Sequence, residues 1–87
     1  MHEFSLIADL MRKIDAVARA QSARRVIGVR VKLGALAHIS AEHFREHFVH
    51  AAHGTIAEGA GLEVEILHDV NDAQAMDIVL DSITVEA

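Results

Sequence analysis

The amino-acid sequence predicts an α+β fold in which two helices pack on one face of a small three-stranded mixed sheet. Three observations lead to this prediction. Two segments place apolar residues at helical spacing, three others alternate apolar and polar residues, and no repeat or low-complexity segment interrupts them. The chain of 87 residues is the size of one domain, and its 52% apolar residues argue against intrinsic disorder.

The first predicted helix covers about residues 5–21. Ser5 can cap this helix, because its hydroxyl can accept a hydrogen bond from a backbone N–H of the first turn. The apolar residues recur at spacings of three and four, as on one face of an amphipathic helix. They are Leu6, Ile7, Leu10, Met11, Ile14, Val17 and Ala18.

The first strand is predicted over about 24–33 and the second helix from Ser40 to Gly54. In the strand, four alternating residues are expected to face the core: Ile27, Val29, Val31 and Leu33. Ser40 is the expected N-cap of the helix and Gly54 the residue that ends it, while Phe44 and Phe48 belong to its apolar stripe. The order strand, helix, strand favours a right-handed crossover.

The last two strands are predicted over 61–69 and 75–86. Because only a short turn at Asn71-Asp72 separates them, we expect them to pair as an antiparallel hairpin. The apolar alternation of Met76, Ile78 and Leu80 changes phase near Asp81–Ser82, which predicts a β-bulge there.

Composition excludes several functions. The net charge of −5 argues against non-specific nucleic-acid binding, and no run of about 18 apolar residues suggests a membrane span. Glu3 and Asp9 make the N-terminus unlike a signal peptide, so a cytoplasmic location is expected. Cysteine is absent, which excludes a disulfide or a thiolate metal site within these residues. No serine or carboxylate lies in a catalytic motif, so the chain is not expected to be an enzyme.

Charge is divided unevenly along the chain. Residues 12–32 contain seven basic residues and one acidic residue, whereas residues 58–86 contain eight acidic residues and no basic one. This division fits either two solvated faces or two edges that recognise partners of opposite charge.

His2 is the most informative candidate ligand because of its position. The α-amine of Met1, the amide nitrogen of His2 and the His2 imidazole can close fused chelate rings around one ion. Such nitrogen donors suit square-planar Ni(II) or Cu(II). The amide nitrogen or side chain of Glu3 is a candidate fourth donor. The alternative is that His2 is an ordinary residue at a frayed terminus.

Three more histidines share one stripe of the second predicted helix: His43, His47 and His50. Histidines at positions i and i+4 can chelate a divalent metal. A solvated histidine-rich face is the favoured interpretation, since the sequence offers no dedicated carboxylate partner for them.

Five segments resemble the nickel-insertion proteins of [NiFe]-hydrogenase maturation, the HypA/HybF family. The opening Met-His-Glu-Phe-Ser-Leu and the segment Gly-Thr-Ile-Ala-Glu-Gly-Ala are together the most specific features. The five segments are residues 1–6, 29–36, 40–48, 54–64 and 81–86.

The resemblance implies a function. These proteins deliver nickel to hydrogenase, or in some organisms to urease, with a GTPase accessory protein as partner and the hydrogenase large subunit as client. Carried over to this sequence, the resemblance implies that the nickel-binding residues are Met1, His2 and Glu3, and that Ni(II) is bound transiently. A homodimer is a further expectation. The alternative is a binding module of the same fold that delivers no metal but docks a partner in a maturation or oxidoreductase complex.

The chain departs from the family pattern in one respect. The family carries a zinc module with paired Cys-x-x-Cys motifs between its last two strands, whereas here that place holds only about residues 69–75, without cysteine. We therefore expect residues 1–87 to form a single nickel-binding-type domain without structural zinc. The family's acidic residue before the second helix falls near Ser40, and Glu42 is the nearest carboxylate.

Overall fold

The predicted helices and strands are all present. The computed structural model describes residues 3–87, with side chains from Ser5 onward. The elements are α1 (Glu3–Ala20), β1 (Arg25–Leu33), α2 (Ala41–Ala52), β2 (Gly61–Ile66) and β3 (Ile78–Glu86). Two helices and a three-stranded mixed sheet confirm the predicted fold class. Within residues 3–87, neither helix is both long and apolar enough to cross a membrane.

The strand order is β2-β1-β3, with β1 parallel to β2 and antiparallel to β3. The predicted hairpin of the last two strands is therefore wrong, because β1 lies between them. The reason is that the connection, residues 67–77, is longer than the tight turn that was expected. It crosses the end of β1: the Leu67 N–H donates to the Leu33 carbonyl, and the Gly34 N–H donates to the Asp77 carbonyl, both at 2.9 Å.

A β-bulge lies where the sequence predicted one. On β3, Ser82 pairs with Arg30 and Leu80 with Val31, so Asp81 is the additional residue. The bulge changes which residues of β3 face the helices, and this accounts for the change of phase in the apolar pattern.

A second register shift, in β1, was not predicted. Val26 pairs with Val85 and Gly28 with Thr84, so Ile27 is the additional residue. As a result Val26 is fully buried, whereas Ile27 is 43% exposed. The expectation that Ile27 faces the core is wrong, because simple alternation cannot locate an inserted residue.

Both helices cover the same face of the sheet and share one core. Phe44 and Phe48 of α2 are buried, and their ring centroids lie 6.2 Å apart. The remaining large core side chains come from α1 and from the sheet. They are Ile7, Leu10, Ile14, Val26, Val29, Val31, Leu33 and Ile78.

The opposite face of the sheet is charged. Arg30 on the central strand bonds Glu63 of β2 at 2.7 Å, and Lys32 lies 3.6 Å from Asp81 of β3. The basic first half of the chain and the acidic second half thus meet across the sheet. Their charges largely offset one another on this surface, which weakens the interpretation that they form two separate recognition edges.

Candidate functional site

The starts of both helices, near which the sequence places candidate metal ligands, lie at one end of the molecule. Leu33, the last residue of β1, pairs with Ile66 at the end of β2 and with Ile78 at the start of β3. The loops 34–40 and 67–77 lie at this end. Leu6 of α1 lines a groove of about 270 Å³ together with Ile78, so α1 also begins here. We call this end of the sheet, at which both helices begin, the helix-start end.

The predicted nickel residues precede or begin α1 in the sequence. Met1 and His2 lie outside the described residues, as does the side chain of Glu3. The backbone of Glu3 is the first residue of α1, which fixes where the preceding segment joins the fold. The assignment of Met1, His2 and Glu3 as nickel ligands stays a prediction.

Asp9 is the described carboxylate nearest the start of α1. Its oxygens lie 3.0 Å from Lys13 Nζ and 3.3 Å from Arg12 Nη2. The hydrogen bond from Lys13 contributes most to lowering the pKa of Asp9 below its ordinary value, and Arg12 adds to the effect. Asp9 thus pairs with two cations on its own helix, and it also lines the groove that Leu6 and Ile78 share at the helix-start end.

The loop before α2, residues 34–40, contains no carboxylate side chain. Ser40 ends this loop, and its hydroxyl accepts a hydrogen bond from the His43 N–H at 3.1 Å as the N-cap of α2. Glu42 follows in the first turn of the helix with an exposed side chain. His38 in the same loop is exposed and adopts a positive φ of 57°.

The histidines of α2 lie along one stripe, as predicted from their spacing. The rings of His43 and His47 are 5.4 Å apart between centroids, with planes inclined at 31°. His53, at the end of the helix, instead places its Nδ1 2.7 Å from Glu58 Oε2. Among the residues whose side chains are described, no group of three or more histidine, cysteine, aspartate or glutamate residues forms a metal cage.

The segment between β2 and β3 packs against the turn after β1. The Leu36 N–H donates to the Ala75 carbonyl at 2.6 Å, and Ala75 is buried. Met76 was expected to continue the apolar face of the last strand, but it is 61% exposed, since β3 begins only at Ile78. The segment 67–77 thus packs directly on the turn that follows β1.

Sequence reasoning missed one structural contact on the side of α2 away from the histidine stripe. The Arg45 guanidinium of α2 donates to the Leu62 carbonyl of β2 at 2.6 Å. This bond ties the exposed side of α2 to the outer strand of the sheet. The sequence places an arginine on the polar face of a helix, and nothing in the spacing marks that residue as a contact to a distant strand.

Comparison with known proteins identifies the family. Residues 1–72 match the family described as "Hydrogenase/urease nickel incorporation, metallochaperone, hypA". The chain therefore belongs to the HypA family. The match ends within the 67–77 segment, near the place where the sequence departs from the family pattern. The family description names nickel incorporation and a metallochaperone. This description agrees with the expectation that the chain is not an enzyme.

Curated relatives agree with this assignment. A hydrogenase maturation factor HypA from Chlorobium limicola is 43% identical over 65 residues, which cover 75% of this chain and 56% of that protein. The corresponding protein of Methylocella silvestris is 42% identical over 67 residues, covering 77% and 59%. The chain thus spans less than two thirds of the length of these relatives.

A solved structure supports the fold. The solution structure of the Ni metallochaperone HypA from Helicobacter pylori superposes with a TM-score of 0.81, covering 100% of this chain and 99% of that chain. At 17% identity this likeness concerns the fold alone.

Proposed function

We propose that the chain is a nickel-binding metallochaperone-like accessory protein for the maturation of [NiFe]-hydrogenase or urease. Ni(II) is its cargo, held by the amine of Met1, the amide nitrogen and imidazole of His2, and a donor of Glu3. It acts in the cytoplasm, with a GTPase accessory protein and the hydrogenase large subunit as partners. Family membership over residues 1–72, including Met1-His2-Glu3, is the observation that carries this proposal.

The geometry of α1 supports the proposed site. Because α1 begins at Glu3, the proposed ligands Met1 and His2 directly precede the helix in the sequence and Glu3 opens it. Amine and amide nitrogens together with one imidazole favour the square-planar geometry that Ni(II) accepts.

The domain is proposed to work without structural zinc. The 87 residues contain no cysteine, and the segment 67–77 packs directly on the end of β1. Residues 1–87 then form a single nickel-binding-type domain, in which the short 69–75 turn stands where the family carries its zinc module.

The experiment that tests the site is a calorimetric titration of the tag-free chain, starting at Met1, with Ni(II). We expect binding of about one ion per chain, and loss of this tight site in His2→Ala. The matched control is His68→Ala, which removes an exposed histidine from the 67–77 segment and should leave the affinity unchanged. An N-terminal tag should act like His2→Ala, since it converts the amine donor into an amide. Tight nickel binding that is undiminished in His2→Ala would refute the site.

The alternative is a docking module of the same fold that delivers no metal. The matched residues cover only 56–59% of the two relatives described above, so the match by itself does not carry the activity of those whole proteins. A chain that binds the GTPase accessory protein in a calorimetric titration but takes up no nickel would favour this alternative.

A further inference from the structure

The exposed side of α2 carries a second arrangement of metal ligands. His43 and His47 are separated by one helical turn, and their ring centroids are 5.4 Å apart. Two imidazole nitrogens that bind one ion in adjacent positions, each about 2.1 Å from it, are about 3 Å apart. A ring nitrogen lies outward of the ring centroid, so two nitrogens that face each other are closer together than the two centroids. A centroid distance of 5.4 Å is therefore compatible with two nitrogens about 3 Å apart.

The position of both histidines is fixed by the core. Each directly precedes a buried phenylalanine, His43 before Phe44 and His47 before Phe48. The first turn of the helix is held further by the hydrogen bond from the His43 N–H to the Ser40 hydroxyl. The backbone beneath the pair is therefore ordered before any ion arrives, which lowers the entropy cost of binding.

The charge around the pair favours a cation. Glu42 and Glu46 line a small surface depression together with His43. Arg45 lies about half a helical turn from His43 and lines a neighbouring depression with the same two carboxylates. Two carboxylates and one guanidinium leave a net negative charge beside His43.

We propose that His43 and His47 bind one divalent transition-metal ion. Imidazole suits Ni(II), Cu(II) and Zn(II), whereas Mg(II) and Ca(II) prefer oxygen ligands. This site goes beyond the proposed N-terminal nickel site and shares no residue with it.

The test removes the N-terminal site first. In a His2→Ala chain, titrated with NiCl₂ by calorimetry, we expect one weaker ion to remain. Adding His47→Gln should lower its affinity by roughly tenfold or more, because a single donor loses the advantage of chelation. Adding His53→Gln instead is the matched control, since this exposed histidine pairs with Glu58, and should change nothing. Broadening of the His43 and His47 imidazole signals by paramagnetic Ni(II) provides a second readout.

The outcomes separate the two proposals. The helix site is refuted if His2→Ala binds no nickel, or if His47→Gln in that background leaves the affinity as it was. The N-terminal site is refuted independently if His2→Ala in the wild-type chain leaves the tight affinity intact. Circular dichroism of each variant checks that the helix content is preserved, as expected for substitutions outside the core.

Discussion

Gly34 is the residue at which the closure of the short 67–77 segment can be tested most directly. A Cβ atom at this position would lie 2.5 Å from both the Ala75 carbonyl carbon and the Gln74 carbonyl oxygen, and still closer to the Ala75 oxygen. These atoms are backbone and cannot rotate away as a side chain could. Gly34→Ala must therefore push the segment off the end of β1.

The cost follows from what would be lost. Two backbone hydrogen bonds hold the segment here, from the Gly34 N–H to Asp77 and from the Leu36 N–H to Ala75. Each contributes about 1 kcal/mol, and the overpacking adds about 1–3 kcal/mol, so we expect Gly34→Ala to cost roughly 3–5 kcal/mol. For a domain of this size that lowers the Tm by on the order of 12–40 °C.

The assay is thermal unfolding followed by circular dichroism, with Gly61→Ala as the matched control. A Cβ at Gly61 would meet nothing closer than the Ile27 carbonyl oxygen at 3.7 Å, which is an ordinary contact. We expect this control to melt within a few degrees of wild type. If Gly34→Ala also melted within a few degrees of wild type, the segment 67–77 would not lie against Gly34. Its direct packing on the end of β1 would then be wrong.

Three further predictions concern stability and charge. Phe48→Ala should cost about 3–5 kcal/mol in chemical denaturation, whereas Val49→Ala, its 66% exposed neighbour, should change stability by no more than about 0.5 kcal/mol. EDTA should leave the Tm unchanged, and unfolding on chelation would reveal a structural metal. An NMR titration should find the Asp9 pKa below its ordinary value and moved upward in Lys13→Met. Because folding lowers this pKa, the stabilisation by Asp9 is present above the unfolded-state pKa and is lost as the pH falls through the folded-state value.

The elements of this fold were predictable because local patterns determine them. The stripe of α1 and the Ser40 cap of α2 act within a few residues, and the Asp81 bulge changed the phase of the apolar pattern in a way that the sequence shows. The Ile27 bulge left no such trace, since Val26 and Ile27 are both β-branched and apolar. Only the pairing with β3 decides which of them enters the core.

The sheet order was not predictable by the same reasoning. The hairpin was inferred from a turn signal at Asn71-Asp72, but that turn lies inside a longer connection. β1 takes the central place because it supplies four buried residues to the core and can pair on both edges, whereas β2 has no buried residue. Such a preference depends on the burial of all three strands together and does not appear in the spacing of any one of them.

The candidate metal sites differ in how the sequence reveals them. The histidine pair of α2 follows from helical periodicity, and the structure adds what periodicity lacks: the ring separation, and the burial of the phenylalanine that directly follows each histidine. The Met1-His2 site is instead proposed from the chemistry of a chain terminus and from family membership, and that proposal names no core residue. Substitutions that weaken the core should therefore lower the occupancy of the helix site before that of the terminal site. A nickel titration of Phe48→Ala in mild denaturant can observe this order, and simultaneous loss of both sites would show that the terminal ligands also depend on the folded domain.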